Sequence, residues 1–204
     1  FLGHTAIRKY IMRDSAKYEN GSEEELQRTI NQQPATFVTS IAWLEAVRER
    51  WSTLDKKLTS VAIAGHSMGE FTAAVATGAI TFEEGLLLVQ VRARLMDEAG
   101  RENPGGMASI IGLQEEKILE ICSHSSDTGY VGIATQNCEG HTVISGDFPS
   151  LHKAMDLAQE AGARTVIPLP ISIASHSPLM EKASLSMKDL LEQTPLQNPR
   201  TPII

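Results

Sequence analysis

The 204-residue sequence predicts an α/β fold in two parts: a larger α/β body, residues 1–101 and 171–204, and a small βαββαβ unit inserted at 102–170. Three observations predict it. In the first half, apolar residues recur at helical spacing in stretches opened by capping signals. The run Val61-Ala62-Ile63-Ala64, with polar residues before it and Gly65 after it, has the pattern of a short buried strand. After the linker-like run Arg101-Glu102-Asn103-Pro104-Gly105-Gly106, strand and helix patterns alternate through six short elements.

Taken in order, Ser22 with Glu25 has capping-box spacing and predicts a short helix over 22–29. Pro34 suits the first turn of a second helix, whose apolar face is Phe37, Val38, Ile41, Leu44 and Val47. The strand at Val61–Ala64 leads into an Ala-rich helix from Glu70 to Thr77, stopped by Gly78. Thr81 with Glu84 forms a second capping box, opening a helix to about Glu98 with Gly100 behind it. The inserted unit reads as strand 107–112, helix 114–123, strands 130–134 and 142–145, helix 149–161 and strand 164–169. That order is ferredoxin-like, and Pro168 and Pro170 close it. Ser177 caps a last helix with Pro178 at its first position, running to about Gln193.

Composition excludes several classes of function. Lys and Arg total 18 against 25 Asp and Glu, a formal charge of -7, which excludes a nucleic-acid binder working through a basic face. Hydrophobic residues at 42% and charged residues at 21% exclude a disordered chain. No apolar stretch reaches the roughly 20 residues of a membrane-spanning helix. Phe1 opens the sequence with no basic region or cleavage pattern, and Cys122 and Cys138 are the only cysteines. These features predict a cytoplasmic protein with free thiols. The ends, Phe1-Leu2-Gly3 and Pro202-Ile203-Ile204, read as cut from a longer chain, the latter as the start of a strand.

Chemistry concentrates in three places. Gly65-His66-Ser67-Met68-Gly69 matches G-x-S-x-G, which between a strand and a helix is a nucleophile elbow. Its glycines let a tight turn approach its neighbours. The N–H after the serine and the helix dipole can then hold an oxyanion. A serine nucleophile needs a base. Of His4, His66, His124, His141, His152 and His176, the last lies in a loop between a strand and a helix, where catalytic groups gather. A helix-terminal histidine satisfied by backbone is the competing assignment. His66 diverges from its neighbour on a sharp turn, and His124 and His152 fall on solvated helix faces. Arg92 sits in a mostly apolar helix, where a buried charge needs a partner, ideally a bidentate carboxylate. An internal salt bridge or a snorkelling surface residue competes with that assignment. Asp97, Asp127, Asp147 and Asp156 lie between Ser67 and His176, but none stands at a convincing strand end. The pattern therefore points to a Ser-His dyad rather than a Ser-Asp-His triad.

These residues resemble a known family. Gln33-Pro34-Ala35, Gly65-His66-Ser67-Met68-Gly69-Glu70, Val91-Arg92, Gly105-Gly106-Met107-Ala108, Gln136-Asn137 with Gly140, Thr142-Val143-Ile144-Ser145-Gly146 and Ser175-His176-Ser177-Pro178-Leu179-Met180 are similar to malonyl-CoA:acyl carrier protein transacylases and polyketide synthase acyltransferase domains. The resemblance implies an α/β-hydrolase-like body with a ferredoxin-like insertion. It implies ping-pong transfer of malonyl from malonyl-CoA to the phosphopantetheine thiol of an acyl carrier protein, with no tightly bound cofactor and no metal. Ser67 would carry the acyl ester, and His176 would act as base and acid. Arg92 would pair with the malonyl carboxylate, and Met68 N–H would be an oxyanion donor. His66, Gln33 and Asn137 would border the acyl pocket. Neither the family's N-terminal Gly-Gln-Gly loop nor its segment past Ile204 is in the sequence, which implies truncation at both ends. Ile173-Ala174-Ser175-His176 is similar to the methylmalonyl-selective pattern, whereas Met68 resembles malonyl-selective members, so malonyl is expected and methylmalonyl is the competing acyl group. A serine hydrolase acting on acyl carrier proteins and a catalytically incomplete fragment also compete with the transacylase reading. Neither nucleic acid nor membrane is an expected partner.

Overall fold

The computed structural model describes residues 23–127 and 129–204. Ser22 of the first capping box and His4 lie outside the described residues. The fold is mixed α/β and divides into two units. One ends at Arg94 and resumes over Met187–Ile204; the other is Leu95–Ser186.

In the first unit, α1 (Glu23–Gln27) is followed by α2 (Thr29–Ser52). The Arg28 carbonyl accepts from the N–H groups of Asn31 and Gln32 at 2.9 and 2.8 Å, so the α2 ladder is under way before the proline. Pro34 therefore lies inside α2 rather than in its first turn. It removes one ladder donor. Burial holds it there: Gln33, Pro34, Phe37, Val38 and Ile41 form the buried face of α2. Phe37 stacks on Phe82 with ring centroids 5.6 Å apart.

The expected strand at Val61–Ala64 is reduced to one parallel bridge, Ile63 to Ile203. Ile63 donates its N–H to the Pro202 carbonyl and accepts from Ile204 N–H, both at 2.9 Å. Val61 is 96% exposed, so the run is not buried. A parallel strand is stable when covered on both faces; here, among the described residues, a single bridge forms.

Helix α3 (Gly69–Thr77) ends at Gly78, whose φ of 78° is the left-handed cap expected of a glycine. Helix α4 (Phe82–Glu102) opens with the predicted capping box. Thr81 Oγ1 accepts from Glu84 N–H at 3.2 Å, and Glu84 Oε2 accepts from Thr81 N–H at 2.7 Å. The Thr81 N–H, and the Thr81 hydroxyl at 2.8 Å from the same oxygen, hold the Glu84 carboxyl below its usual pKa. The helix continues through Gly100 instead of stopping near Glu98. Only Asn103 and Pro104 separate it from the next strand, so the expected linker is mostly helix end and strand start.

The second unit contains β1 (Gly105–Ile111), α5 (Glu115–Ser125), β2 (Val131–Cys138), β3 (His141–Asp147), α6 (Phe148–Glu160) and β4 (Thr165–Pro168). The four strands form one antiparallel sheet in the order β2-β3-β1-β4. Ala108 pairs with Ile144 in register, and both are fully buried with Ile110 of β1 and Ile118 of α5 in one core cluster between the sheet and the helices. The strand expected at 130–134 extends to Cys138. Its outer end carries exposed polar residues because β2 is an edge strand, and Gly140 at φ 72° turns the chain into β3. Asp147 joins three elements: its carboxylate accepts from Ser150 N–H at 3.0 Å, capping α6, and from Tyr130 N–H at the start of β2. After β4 the chain passes a 3₁₀ turn, Pro178–Met180, into α7 (Glu181–Glu192).

Candidate active site

Gly65-His66-Ser67-Met68-Gly69 links the Ile63 bridge to α3. A Cβ on Gly65 would lie 2.2 Å from the Gly69 carbonyl oxygen and 2.4 Å from the Glu70 nitrogen, so glycine is obligatory there. A Cβ on Gly69 would meet nothing within 4 Å among the described residues. Only the first glycine of the motif is thus required by close approach. The turn closes through Gly69 N–H to the His66 carbonyl at 2.8 Å and Glu70 N–H to the Ser67 carbonyl at 3.1 Å. Ser67 itself takes φ 53°, the left-handed region. Met68 occupies the N-cap position of α3, at the positive end of the helix, and its side chain packs against the Phe37 core. His66 is exposed.

The structure brings Ser67, Arg92 and Gln33 together. Arg92, on α4, donates Nη2 to Ser67 Oγ at 3.1 Å and Nη1 to the amide oxygen of Gln33. Gln33 projects from α2 and is 7% exposed. The acceptors of the two Nη groups are therefore neutral oxygens rather than the carboxylate of an internal salt bridge. Burial pulls the Arg92 pKa down, and the Glu70 carboxylate on α3 pulls it up. The group remains a cation.

His176 belongs to the second unit. It is exposed, with φ 59°, at the end of a loop whose preceding residues Ile173, Ala174 and Ser175 are buried. Ser177 fixes the loop: its hydroxyl donates to the Ala174 carbonyl at 2.6 Å and accepts from Leu179 N–H at 3.2 Å. Asn137 is exposed near the β2–β3 turn, with Nδ2 3.3 Å from His141 Nε2.

The remaining titratable groups between Ser67 and His176 that the sequence singled out have structural partners or face solvent. Asp97 pairs with Arg101 and Asp127 with Lys153, each at 2.6 Å; Asp147 caps α6, and Asp156 is exposed. His124 Nδ1 lies 2.9 Å from the Glu120 carbonyl, and His152 sits exposed against Phe148. Among the described residues, no group of three or more His, Cys, Asp or Glu could hold a metal ion.

Sequence reasoning missed two features. A Cβ on Gly100 would lie 2.3 Å from Ile173 Cγ2, so this glycine is the seat of the loop that bears His176. A glycine reads as a helix stop, and only the tertiary contact distinguishes the two roles. Ser109 Oγ lies 3.0 Å from His141 Nε2, beside Asn137, a cross-strand grouping that no local pattern signals.

A family model described as an acyl transferase domain matches residues 17–204. The malonyl CoA-acyl carrier protein transacylase of Bacillus subtilis is 38% identical over 185 residues, 90% of this chain and 56% of that protein. Among solved structures, FabD of Acinetobacter baumannii is 34% identical with a TM-score of 0.84, covering 100% of this chain and 65% of that one. A malonyl-transacylase solved in complex with its type II PKS acyl-carrier protein is also 34% identical, with a TM-score of 0.82, covering 91% of this chain and 58% of that one. The chain thus spans somewhat over half the length of the relatives it matches. A match across residues 17–204, with an elbow serine in the left-handed region beside an arginine, makes this chain a member of the acyl transferase domain family.

Proposed function

We propose that the chain carries the chemistry of a malonyl-CoA:acyl carrier protein transacylase, moving malonyl from malonyl-CoA to a phosphopantetheine thiol through an ester on Ser67. The observation that carries this reading is a serine at φ 53°, at the head of a helix, with a guanidinium 3.1 Å from its hydroxyl. A cation in that position suits an acyl group that ends in a carboxylate. The relatives' names, and the neighbour solved with an acyl-carrier protein, support the same substrate and partner.

In the proposed cycle His176 takes the proton of Ser67 Oγ as the oxygen attacks the thioester carbonyl. Met68 N–H, at the positive end of α3, donates to the resulting oxyanion. Collapse expels the CoA thiolate, which takes the proton from His176. The carrier thiol then gives its proton to His176, attacks the ester, and regenerates Ser67. Arg92 holds the malonyl carboxylate throughout; a monoacyl chain would leave it without that partner. Gln33, His66 and Asn137 border the acyl pocket. No tightly bound cofactor enters the cycle. The proposed architecture is an α/β-hydrolase-like body, 1–101 and 171–204, with a ferredoxin-like insertion at 102–170, a reading supported by the strand order β2-β3-β1-β4. Two free thiols, Cys122 and Cys138, suit a cytoplasmic setting.

Incubation with malonyl-CoA followed by mass spectrometry tests the reading. Ser67 should gain one malonyl group, Ser67→Ala should gain none, and His176→Ala should acylate about 10²–10⁴ times more slowly. Equal labelling by malonyl-CoA and acetyl-CoA would remove the carboxylate role of Arg92. Absence of any Ser67 ester would remove the transacylase reading for this chain.

A further inference from the structure

The guanidinium of Arg92 presents two Nη groups side by side, the geometry that grips a carboxylate by both oxygens. In this structure the fork is already filled. Nη1 donates to the Gln33 amide oxygen, and Nη2 donates to Ser67 Oγ at 3.1 Å. The acceptors come from α2 and the elbow, and Gln33 is 7% exposed, so the arrangement is built into the packing. We infer that Arg92 is a substrate-operated latch on the nucleophile: without a carboxylate it holds Ser67 Oγ, and the acyl group's own carboxylate releases it. The inference rests on the reading of Ser67 as the nucleophile and Arg92 as the carboxylate clamp.

The physical argument concerns lone pairs. A hydroxyl oxygen has two of them. An N–H from a cation on one of them withdraws density from the atom that must attack. Hydrogen bonds to charged groups are the strong kind, and breaking one changes an equilibrium by roughly tenfold or more. An acetyl thioester offers Arg92 nothing in exchange. To react, it must strip Nη2 from Ser67 and leave a half-buried cation with one neutral acceptor fewer. A malonyl thioester brings two charged oxygens, and a bidentate ion pair replaces two bonds to neutral acceptors. Part of the carboxylate's binding energy then goes into freeing the nucleophile, so selectivity appears in the acylation rate as well as in binding. The latch also works against wrong substrates, not only for the right one. Gln33 is a positioning residue: its amide oxygen fixes the guanidinium plane that aims Nη2 at Oγ.

A neutral probe separates the latch from a simple clamp. An alkyl fluorophosphonate has no carboxylate; Ser67 Oγ forms the new P–O bond, fluoride leaves, and the serine proton passes to a base. The rate of Ser67 modification in the full 204-residue chain is measured by mass spectrometry in chloride and in acetate at equal ionic strength. The latch predicts that acetate fills the fork and accelerates labelling by about tenfold, saturably. Arg92→Met should label fast in chloride and ignore acetate. Gln33→Glu, which supplies a permanent carboxylate, should behave in the same way, a response that a merely structural role for Gln33 would not produce. Wild-type labelling that acetate slows or leaves unchanged overturns the latch and leaves the nucleophile assignment standing. No label at Ser67 in either buffer removes both. The wild-type comparison decides the matter even where a variant fails to fold.

Discussion

Ser67 holds φ 53°, a conformation that a residue with a Cβ adopts at a cost of about 1–2 kcal/mol. Glycine adopts it freely. Ser67→Gly and Ser67→Ala both lose the hydroxyl and its bond to Arg92, so their difference isolates the backbone. Ser67→Gly should be about 1 kcal/mol more stable than Ser67→Ala in urea denaturation, after allowance for the greater freedom of the unfolded glycine chain. Both should fail to acylate. Equal stability of the two variants would mean that the elbow is unstrained. Much of this was legible in the sequence, because G-x-S-x-G encodes a turn geometry and Ser67 sits at its centre. The pattern gives its two glycines one reason, however, and the structure separates them: a Cβ on Gly65 would meet backbone at 2.2 Å, whereas one on Gly69 would meet nothing within 4 Å among the described residues. Arg92 was legible as a cation needing a partner, but its neutral acceptors were not. Gln33 lies on another helix, and no local rule joins it to Arg92.

At the scale of elements, local signals read well and tertiary ones did not. The Thr81–Glu84 box is spelled by four consecutive positions, and both of its reciprocal bonds form. Gly100 is the opposite case. Inside α4 a glycine costs about 1 kcal/mol relative to alanine, which is why it reads as a stop. That cost is offset by the seat it gives Ile173, three residues before His176. Gly100→Ala gains helix propensity but drives a Cβ to 2.3 Å from Ile173 Cγ2, and overpacking of that kind costs about 1–3 kcal/mol. We predict a net loss of stability of about 1 kcal/mol and slower acylation, as the loop bearing His176 is displaced. Ile173→Ala removes the colliding methyl while opening a cavity. The double variant should therefore be less destabilised than the two single losses added together, by about 1 kcal/mol in a double-mutant cycle. Strict additivity would mean that Gly100 and Ile173 do not share the contact.

At the scale of the whole molecule, the two units differ in how their sheets are made. In the second unit β2 and β3 are consecutive and pair antiparallel across a tight turn, while β1 pairs with β3 and β4 only after intervening helices. The strands themselves are foretold by local apolar runs and turn residues, whereas the pairings of β1 are not. The expected strand at Val61–Ala64 depends on a parallel partner near the far end of the sequence, and periodicity carries no information about that partner. The consequence is an uneven distribution of stability. Ile110 and Ile144 are fully buried in a sheet bonded on both sides, whereas the Ile63 bridge is flanked by Val61 at 96% and Ile204 at 82% exposure. A single parallel bridge between half-buried Ile63 and exposed Ile203 lies outside the buried cores and opens locally, while exposing the β1 and β3 amides requires the Ala108–Ile144 cluster to come apart. Native-state hydrogen exchange on the 204-residue chain should therefore find the Ile63 and Ile204 amides, which donate to Pro202 and Ile63, exchanging at least about a hundredfold faster than the most protected amides of β1 and β3. Adding urea should accelerate β1 and β3 steeply and the bridge hardly at all, since local opening exposes little surface and unfolding of the sheet exposes much. Equal protection and equal urea dependence in the two places would mean that the bridge opens only with the whole chain.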